Sequence, residues 1–181
     1  MRKISHFLLV ASLIVGGLTG GIWFKLRLDT PTPEVAAARQ LLTLTLPDPN
    51  GDAHAMNAWR GKILIVNFWA SWCGPCREEM PGFARLQAKY AGQGAQFIGI
   101  AFDTHAAVQE FVQQTPVNYP LLIAGGPERD LMKALGNKPM GLPFTVILDR
   151  EGKSIQTHLG RYEEQELDQR LAAIFAKSGP R

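Results

Sequence analysis

Short, predominantly hydrophobic runs alternate along this chain with segments of helical periodicity. The hydrophobic runs, which are rich in β-branched and aromatic residues as is typical of buried strands, lie at residues 62–70, 95–102, 119–124 and 144–149. The amphipathic segments, which predict helices, lie at residues 73–90, 104–114, 127–135 and 163–177. A turn at 150–153 and a segment at 154–159 predict a hairpin before the last helix. This order of strands and helices predicts an α/β fold with a mixed central sheet flanked by helices.

The residues before the first long strand predict a linker and a small hairpin. The alternating sequence LLTLTL at 41–46 is typical of a strand, and DPNGD at 48–52 is a strong turn signal. Together they predict an N-terminal β-hairpin extension of a domain that spans residues 40–181. Residues 28–39, which include two prolines, are interpreted as a linker.

A longer apolar run precedes this linker. Residues 7–24, FLLVASLIVGGLTGGIWF, carry no charge, and their 18 residues exceed the minimum of about 17 for a membrane-spanning helix. A cleaved signal peptide is the alternative, but its apolar core is usually only about 7–15 residues and ends close to a small-residue cleavage site. Residues 1–27 are therefore predicted to be an uncleaved, single-pass anchor in the cytoplasmic membrane. The usual orientation, with the N-terminus inside, places the domain in the periplasm or outside the cell.

The positive charge of the chain is concentrated beside this apolar run. The net charge is +3, and four basic residues flank the run, namely Arg2, Lys3, Lys25 and Arg27. Residues 28–181 contain 15 basic and 16 acidic residues, which gives a formal charge of −1. The basic character therefore belongs to the membrane-proximal segment and does not indicate nucleic-acid binding.

The only two cysteines, Cys73 and Cys76, stand in the sequence WCGPC. A purely structural disulfide matters most in domains too small to bury a core, whereas 46% of these 181 residues are hydrophobic. Cysteine metal sites usually need four ligands, and none of the four histidines has ligand spacing to the pair. The pair is therefore interpreted as redox-active, and neither a metal nor another cofactor is expected.

The predicted position of the pair, where a strand ends and a helix begins, supports this interpretation. Residues three apart at a helix start lie on one face, within disulfide reach. The helix dipole stabilises a thiolate at Cys73, which is predicted to be the exposed nucleophile, with Cys76 as the resolving thiol. Trp72 provides an aromatic surface beside the reactive sulfur, either as a substrate contact or as plain packing.

One acidic residue of this helix is predicted to face the core. At about 100° per residue, Glu79 falls within the apolar stripe one turn after Cys76, whereas Glu78 falls on the other side. Burial raises the pKa of a carboxyl group toward the range that is useful for proton transfer. The resolving cysteine must lose a proton before it attacks a mixed disulfide, so Glu79 is predicted to assist Cys76.

Three segments together resemble a known family. VNFWASWCGPCREEMP (66–81) resembles the active-site segment of membrane-anchored, thioredoxin-like thiol–disulfide oxidoreductases of the TlpA/ResA/CcmG type. GLPFTVILDREGK (141–153) is similar to the family's cis-proline segment and hairpin, and HLGRYEEQEL (158–167) to the region before its last helix. The resemblance implies a thioredoxin fold, with residues 103–140 as a central insertion. The neutral Asn67 favours the extracytoplasmic branch, because cytosolic thioredoxins carry an acid at that site.

The resemblance also implies roles for residues and partners. Cys73 and Cys76 match the redox pair and Glu79 the acid that follows it. Pro143 matches the cis-proline, and Leu142 before it is implied to contact substrate. The implied activity is reduction of disulfides in partner proteins, either apocytochrome c or proteins with oxidase copper sites, with re-reduction by a membrane electron donor.

Two other functions remain alternatives to this one. A peroxiredoxin-like thiol peroxidase is built on a related fold, but it typically pairs its reactive cysteine with a distant partner. A copper-binding metallochaperone module would use both thiols as ligands, often at wider spacing and with a histidine. Peroxide consumption and metal titration of the reduced protein distinguish these alternatives from a disulfide reductase.

Overall fold

The computed structural model describes residues 31–178, in which the helices and strands from residue 45 onward follow the predicted order. The α-helices of this part are α1 (Pro33–Leu41), α2 (Gly74–Tyr90), α3 (His105–Gln114), α4 (Pro127–Ala134) and α5 (Glu164–Ser178). The strands are β1 (Thr45–Pro47), β2 (Ala53–Ala55), β3 (Ile63–Trp69), β4 (Ala95–Ala101), β5 (Leu121–Ile123), β6 (Phe144–Leu148) and β7 (Ser154–Leu159). Short 3-10 helices lie at Met56–Trp59 and Ala91–Gln93.

Five of these strands form the central sheet in the order β5-β4-β3-β6-β7. Strands β3, β4 and β5 are parallel, while β6 is antiparallel to β3 and β7 is antiparallel to β6. Every residue of β3 and β6 is buried, as expected for central strands with both faces covered. The predicted α/β fold with a mixed sheet is therefore confirmed.

Helices cover both faces of the sheet, and strand β3 contributes alternate residues to each side. One apolar cluster joins residues of α2, α3 and α5 to Ile63, Ile65 and Trp69. The other joins residues of α1 and α4 to Leu64, Val66 and Phe68. This alternation follows from the two-residue period of a strand, and it gives the domain two cores separated by the sheet.

The start of the domain differs from the prediction. Helix α1 occupies Pro33–Leu41, where a linker was expected, and Ala37, Ala38 and Leu41 are buried against the sheet. The prolines were interpreted as linker signals, but Pro33 is the first residue of α1, where proline is tolerated. The compact part of the described chain therefore begins at Pro33 rather than at residue 40.

The prediction of a strand at 41–46 is wrong for residues 41–44. Backbone hydrogen bonds from Thr43 to Gln40 and from Leu44 to Leu41 form a turn after α1, so β1 begins only at Thr45. The predicted hairpin itself is present, since β1 and β2 pair antiparallel across residues 48–52. The side chain of Asp48 holds this turn by accepting backbone hydrogen bonds from residues 50 and 52.

The anchor predicted at residues 1–27 lies outside the described residues. Across residues 31–178, none of the helices has the length and apolar character needed to cross a membrane.

The strand register brings three separate segments to one end of the sheet. Phe68 near the end of β3 pairs with Phe144 at the start of β6, and Phe144 pairs with Leu159 at the end of β7. The residues that follow β3, precede β6 and follow β7 therefore lie at the same end. The cysteine pair and the predicted cis-proline belong to these segments.

Candidate active site

Cys73 and Cys76 form a disulfide at the N-terminus of α2. Cys73 is the residue before the helix, and Pro75 lies in its first turn. Their Cα atoms are 5.3 Å apart, and their sulfur atoms are bonded. Cys76 is fully buried whereas Cys73 keeps a small exposed area, which fits Cys73 as the sulfur that a substrate reaches first.

The loop between β3 and the disulfide is held by Asp103, which lies two residues after the end of β4. The backbone N–H and the hydroxyl of Ser71 donate to Asp103 Oδ2 at 3.0 and 2.6 Å, and the Thr104 N–H donates to Oδ1. Burial acts to raise the pKa of Asp103, but these hydrogen bonds outweigh it and lower the pKa. Trp72, which follows Ser71, projects from this loop with 68% of its surface exposed. A fixed loop thus presents an aromatic side chain beside the disulfide.

Glu79 lies on the buried side of α2, one turn after Cys76, and it is 4% exposed. The Asn67 side chain donates from Nδ2 to Glu79 Oε1 at 2.8 Å, and the backbone N–H of Tyr162 donates to Oε2 at 2.7 Å. Burial raises the pKa of Glu79 to about 7, although both hydrogen bonds and nearby Arg161 favour the charged form. The predicted inward orientation is confirmed. A carboxyl group with this pKa can accept and return a proton at neutral pH.

Asn67 connects Glu79 to the central sheet. Its Nδ2 also donates to Thr145 Oγ1 on β6 at 3.1 Å, while its Oδ1 is buried without a hydrogen-bond partner among residues 31–178. Among the buried residues of this described part, Glu79 is the only acid. One carboxyl group therefore supplies the protonatable site beneath the disulfide.

The loop after β7 supplies the second donor to Glu79. Arg161 binds Glu78 on α2, with Nη1 and Oε2 2.5 Å apart, and it also pairs with Glu163. The hydroxyl of Tyr162 accepts a hydrogen bond from Gln156 on β7 at 2.8 Å. These contacts on both sides hold the Tyr162 backbone N–H toward the buried carboxyl group.

Leu142 and Pro143 lie in the segment that precedes β6. The peptide bond between them is cis, as the resemblance implied. Pro143 is buried, and its carbonyl accepts a hydrogen bond from the N–H of Gly160 at 2.8 Å. Leu142 is partly buried and packs against the cluster that contains both cysteines. The register of β3, β6 and β7 places this segment at the end of the sheet that also carries the disulfide, where a substrate contact was predicted.

The structure thus places the residues predicted from the sequence at one end of the sheet, with Cys73 directly before α2, Cys76 and Glu79 on α2, and the Leu142–Pro143 segment before β6. Contributors that were not predicted include Asp103, Arg161 and Asn137, whose side chain bonds to Gly141. An acid directly after a predicted strand was the available signal for Asp103, whereas Arg161 and Asn137 have no local sequence signal. Across residues 31–178, no group of three or more His, Cys, Asp or Glu side chains is placed to hold a metal ion.

Comparison with known proteins gives consistent results. A model of the AhpC/TSA family matches residues 37–167. The thiol-disulfide oxidoreductase ResA of Bacillus thuringiensis subsp. konkukian is 31% identical over 170 residues, which cover 92% of this chain and 96% of that protein.

Solved structures agree with this relationship. A thiol:disulfide interchange protein of the thioredoxin family from Chlorobium tepidum TLS superposes with a TM-score of 0.65 at 26% identity, covering 81% of this chain and 97% of its own. A thioredoxin-related protein from Neisseria meningitidis serogroup B gives a TM-score of 0.63 at 34% identity, and the match covers 71% of this chain and 98% of that one. The thioredoxin fold implied by the sequence is therefore confirmed.

Proposed function

Because the chain belongs to the AhpC/TSA family and is a thiol–disulfide oxidoreductase of the TlpA/ResA/CcmG type, we propose that it reduces disulfides in partner proteins outside the cytoplasm. It acts there while residues 1–27 tether it to the cytoplasmic membrane. The observation that carries the proposal is the disulfide of Cys73 and Cys76 at a helix N-terminus, with a buried carboxyl group one turn behind it. Apocytochrome c and proteins that carry oxidase copper sites are the proposed substrates.

The reaction begins from the reduced pair. The Cys73 thiolate attacks one sulfur of a substrate disulfide, forms a mixed disulfide and releases the other substrate sulfur as a thiolate. The carboxylate of Glu79 then takes the proton of Cys76. The Cys76 thiolate attacks Cys73, re-forms the intramolecular disulfide and releases the second substrate thiolate. Two electrons have passed to the substrate, and a membrane electron donor must restore the dithiol.

The site supports this division of roles. Cys73 lies at the positive end of the dipole of α2 and is partly accessible, so it suits the attacking thiolate. Cys76 is fully buried and bonded to Cys73, so it suits the resolving step. Glu79, with a pKa of about 7, exists in both protonation states near neutral pH, so it can take the proton and later return it.

The extracytoplasmic location is supported by features of the sequence. The uncharged run at 7–24 has the length of a membrane-spanning helix, and the usual insertion of such a helix, with its N-terminus inside, places the rest of the chain outside the cytoplasm. The proposal predicts that protease added outside spheroplasts digests the domain, whereas the same domain expressed without residues 1–27 stays protected in the cytoplasm. Protection of the domain in the full chain would contradict the proposed location.

A turnover assay with the full chain tests the activity. We expect the wild-type chain to reduce the disulfide-linked dimer of an unstructured peptide, and the Cys73→Ser variant to have no activity above background. The reduction potential sets the direction, since a value near about −270 mV identifies a reductant and one near about −120 mV an oxidant. Faster consumption of hydrogen peroxide than of the peptide disulfide would replace the proposal by a thiol peroxidase.

A further inference from the structure

The loop after β7 brings one peptide group of the backbone to the buried carboxyl group of Glu79. This is the peptide group between Arg161 and Tyr162, and its N–H donates to Glu79 Oε2 at 2.7 Å. Its carbonyl accepts a hydrogen bond from Nε2 of His158 at 3.1 Å. Residues 160–163 belong neither to β7 nor to α5. The orientation of this peptide group therefore depends on side-chain contacts rather than on a helix or a strand.

The side chain of Arg161 connects this loop to α2. Its Nη1 lies 2.5 Å from Glu78 Oε2. Its Nε and Nη2 lie 3.1 and 3.3 Å from the two carboxylate oxygens of Glu163, which is a bidentate pair that suits the planar guanidinium group. Glu78 and Glu79 are neighbours on α2, just as Arg161 and Tyr162 are neighbours in the loop. Two consecutive residues of the loop thus bind two consecutive residues of the helix.

The effect of these contacts is local to Glu79. The side chains of both ion pairs are between 42% and 62% exposed, so they contribute little to the stability of the whole domain. Burial is the largest influence on the pKa of Glu79 and raises it, whereas the hydrogen bond from the Tyr162 N–H is the largest influence that lowers it. The charge of Arg161 also favours the carboxylate, and that of Glu163 opposes it.

Three other groups near Glu79 are uncharged in the oxidised protein. Asn67 on β3 is a neutral amide, and Cys76 on α2 is held in the disulfide. Tyr119, which precedes β5, interacts electrostatically with Glu79, but burial raises the pKa of its hydroxyl, which therefore stays neutral. The positive charge that acts on Glu79 is that of Arg161, on the loop after β7.

We propose that Arg161 is a positioning residue for the resolving step. Its two ion pairs hold the Tyr162 N–H against Glu79, so that the carboxylate form is available to take the proton of Cys76. The inference rests on the proposed disulfide-reductase function, and it adds a device that sets the pH range of that function. Arg161 acts through the Tyr162 backbone and takes no part in the exchange of sulfur bonds.

The pH dependence of a single turnover tests this role. The reduced full chain is mixed with an excess of the disulfide-linked dimer of an unstructured peptide, and the release of the first and the second peptide thiol is followed separately. The first release reports attack by Cys73, and the second reports attack by Cys76. We expect Arg161→Gln to slow the second release about threefold at about pH 6, as for the loss of a partly exposed ion pair. At about pH 9, where Glu79 is ionised in both proteins, the second release should be unchanged, and the first should be unchanged at both pH values.

A second substitution separates the ion pair from the charge of Arg161. Glu78→Gln keeps the arginine but removes its partner on α2. If Glu78 acted only as a negative charge near Glu79, its removal would speed the second release at about pH 6. As half of the ion pair, its removal should instead slow this release, as Arg161→Gln does. Faster or unchanged release in the Glu78→Gln variant would refute the positioning role.

Arg85→Gln is the matched control. Arg85 forms another exposed ion pair between α2 and the start of α5, with its Nη2 2.5 Å from Glu164 Oε2. Its loss should leave both releases unchanged at every pH. The proposal is overturned if Arg161→Gln slows the second release equally at all pH values or leaves it unchanged, or if Arg85→Gln reproduces its effect. If the wild-type chain does not reduce the peptide disulfide, the proposed function fails instead.

Amide hydrogen exchange of the oxidised full chain tests the positioning without any substrate. The Tyr162 N–H should exchange slowly in the wild-type protein, although it belongs to a loop, because it donates to a buried carboxyl group. The exchange should be faster in the Arg161→Gln and Glu78→Gln variants and unchanged in Arg85→Gln. Equal exchange of the Tyr162 N–H in the wild-type protein and the Arg161→Gln variant would overturn the proposal.

Discussion

Replacing Glu79 by glutamine should change how the stability of the oxidised protein depends on pH. The carboxyl group is buried, and it accepts hydrogen bonds from the Asn67 side chain and the Tyr162 backbone. Around it, Arg161 lowers and Glu163 raises its pKa, but burial dominates and brings the pKa to about 7. The folded state therefore holds a proton at Glu79 that the unfolded chain releases at lower pH.

The magnitude follows from the two pKa values. The rise of the Glu79 pKa from 4.5 to about 7 adds about 3 kcal/mol to the free energy of unfolding. This contribution is fully present below pH 4.5 and is lost as the pH rises to about 7. Glutamine does not titrate, so the Glu79→Gln variant lacks this dependence. Its amide can accept only one of the two hydrogen bonds, which costs about 1–3 kcal/mol at every pH.

Chemical unfolding of the oxidised proteins at about pH 5 and about pH 8 checks this expectation. The stability of the Glu79→Gln variant relative to wild type should improve by about 2–3 kcal/mol between these two pH values. Glu110→Gln, a substitution of an exposed acid on α3, should show no such change. If Glu79→Gln shifts stability equally at both pH values, burial does not raise the pKa of Glu79, and its assignment as proton acceptor loses its physical basis.

Three further substitutions test the packing and the loop around the site. A Cβ on Gly99 would lie 2.5 Å from a methyl group of Leu121, so Gly99→Ala should destabilise the domain by about 1–3 kcal/mol in thermal or chemical unfolding, whereas Gly92→Ala meets no atom within 4 Å and should be nearly neutral. Asp103→Ala leaves the partly buried N–H and hydroxyl donors of Ser71 without their acceptor and should lower the unfolding free energy by about 1 kcal/mol. An unchanged value would show that the loop needs no carboxylate. Trp72→Ala should leave stability within about 0.5 kcal/mol, because the side chain is exposed, but should lower kcat/KM for the peptide disulfide; equal kcat/KM would exclude Trp72 as a substrate contact.

The periodicity of the sequence was sufficient to predict features that depend on residues of a single helix or strand. The burial of Glu79 follows from helical spacing relative to Cys76, because both residues belong to one continuous helix. The strand β3 could be located from its sequence, which is hydrophobic except for Asn67, because both faces of a central strand are covered. Helix α1 was missed because Pro31, before it, and Pro33, its first residue, resemble the prolines of a linker. Its buried face, which is mostly alanine, is also too small to give a clear pattern.

The contacts between distant segments could not be derived from such patterns. The approach of Pro143 to the disulfide depends on the pairing of Phe68 with Phe144, and only the family resemblance pointed to it. The hydrogen bonds of Asn137 depend on the left-handed conformation of Met140, which no local sequence signal marks. Such features arise from tertiary context, which fixes a loop conformation that the residues alone leave open.

Trapping of the mixed disulfide tests the central claim most directly. The reduced Cys76→Ser and Cys73→Ser variants of the full chain are each incubated with the disulfide-linked dimer of the unstructured peptide, and the products are identified by mass spectrometry without reductant. Cys76→Ser should accumulate one peptide bound to Cys73, because the resolving thiol is gone, and Cys73→Ser should accumulate none. A peptide adduct on Cys76 in the Cys73→Ser variant, with none on Cys73 in the other, would contradict the assignment of nucleophile and resolving thiol.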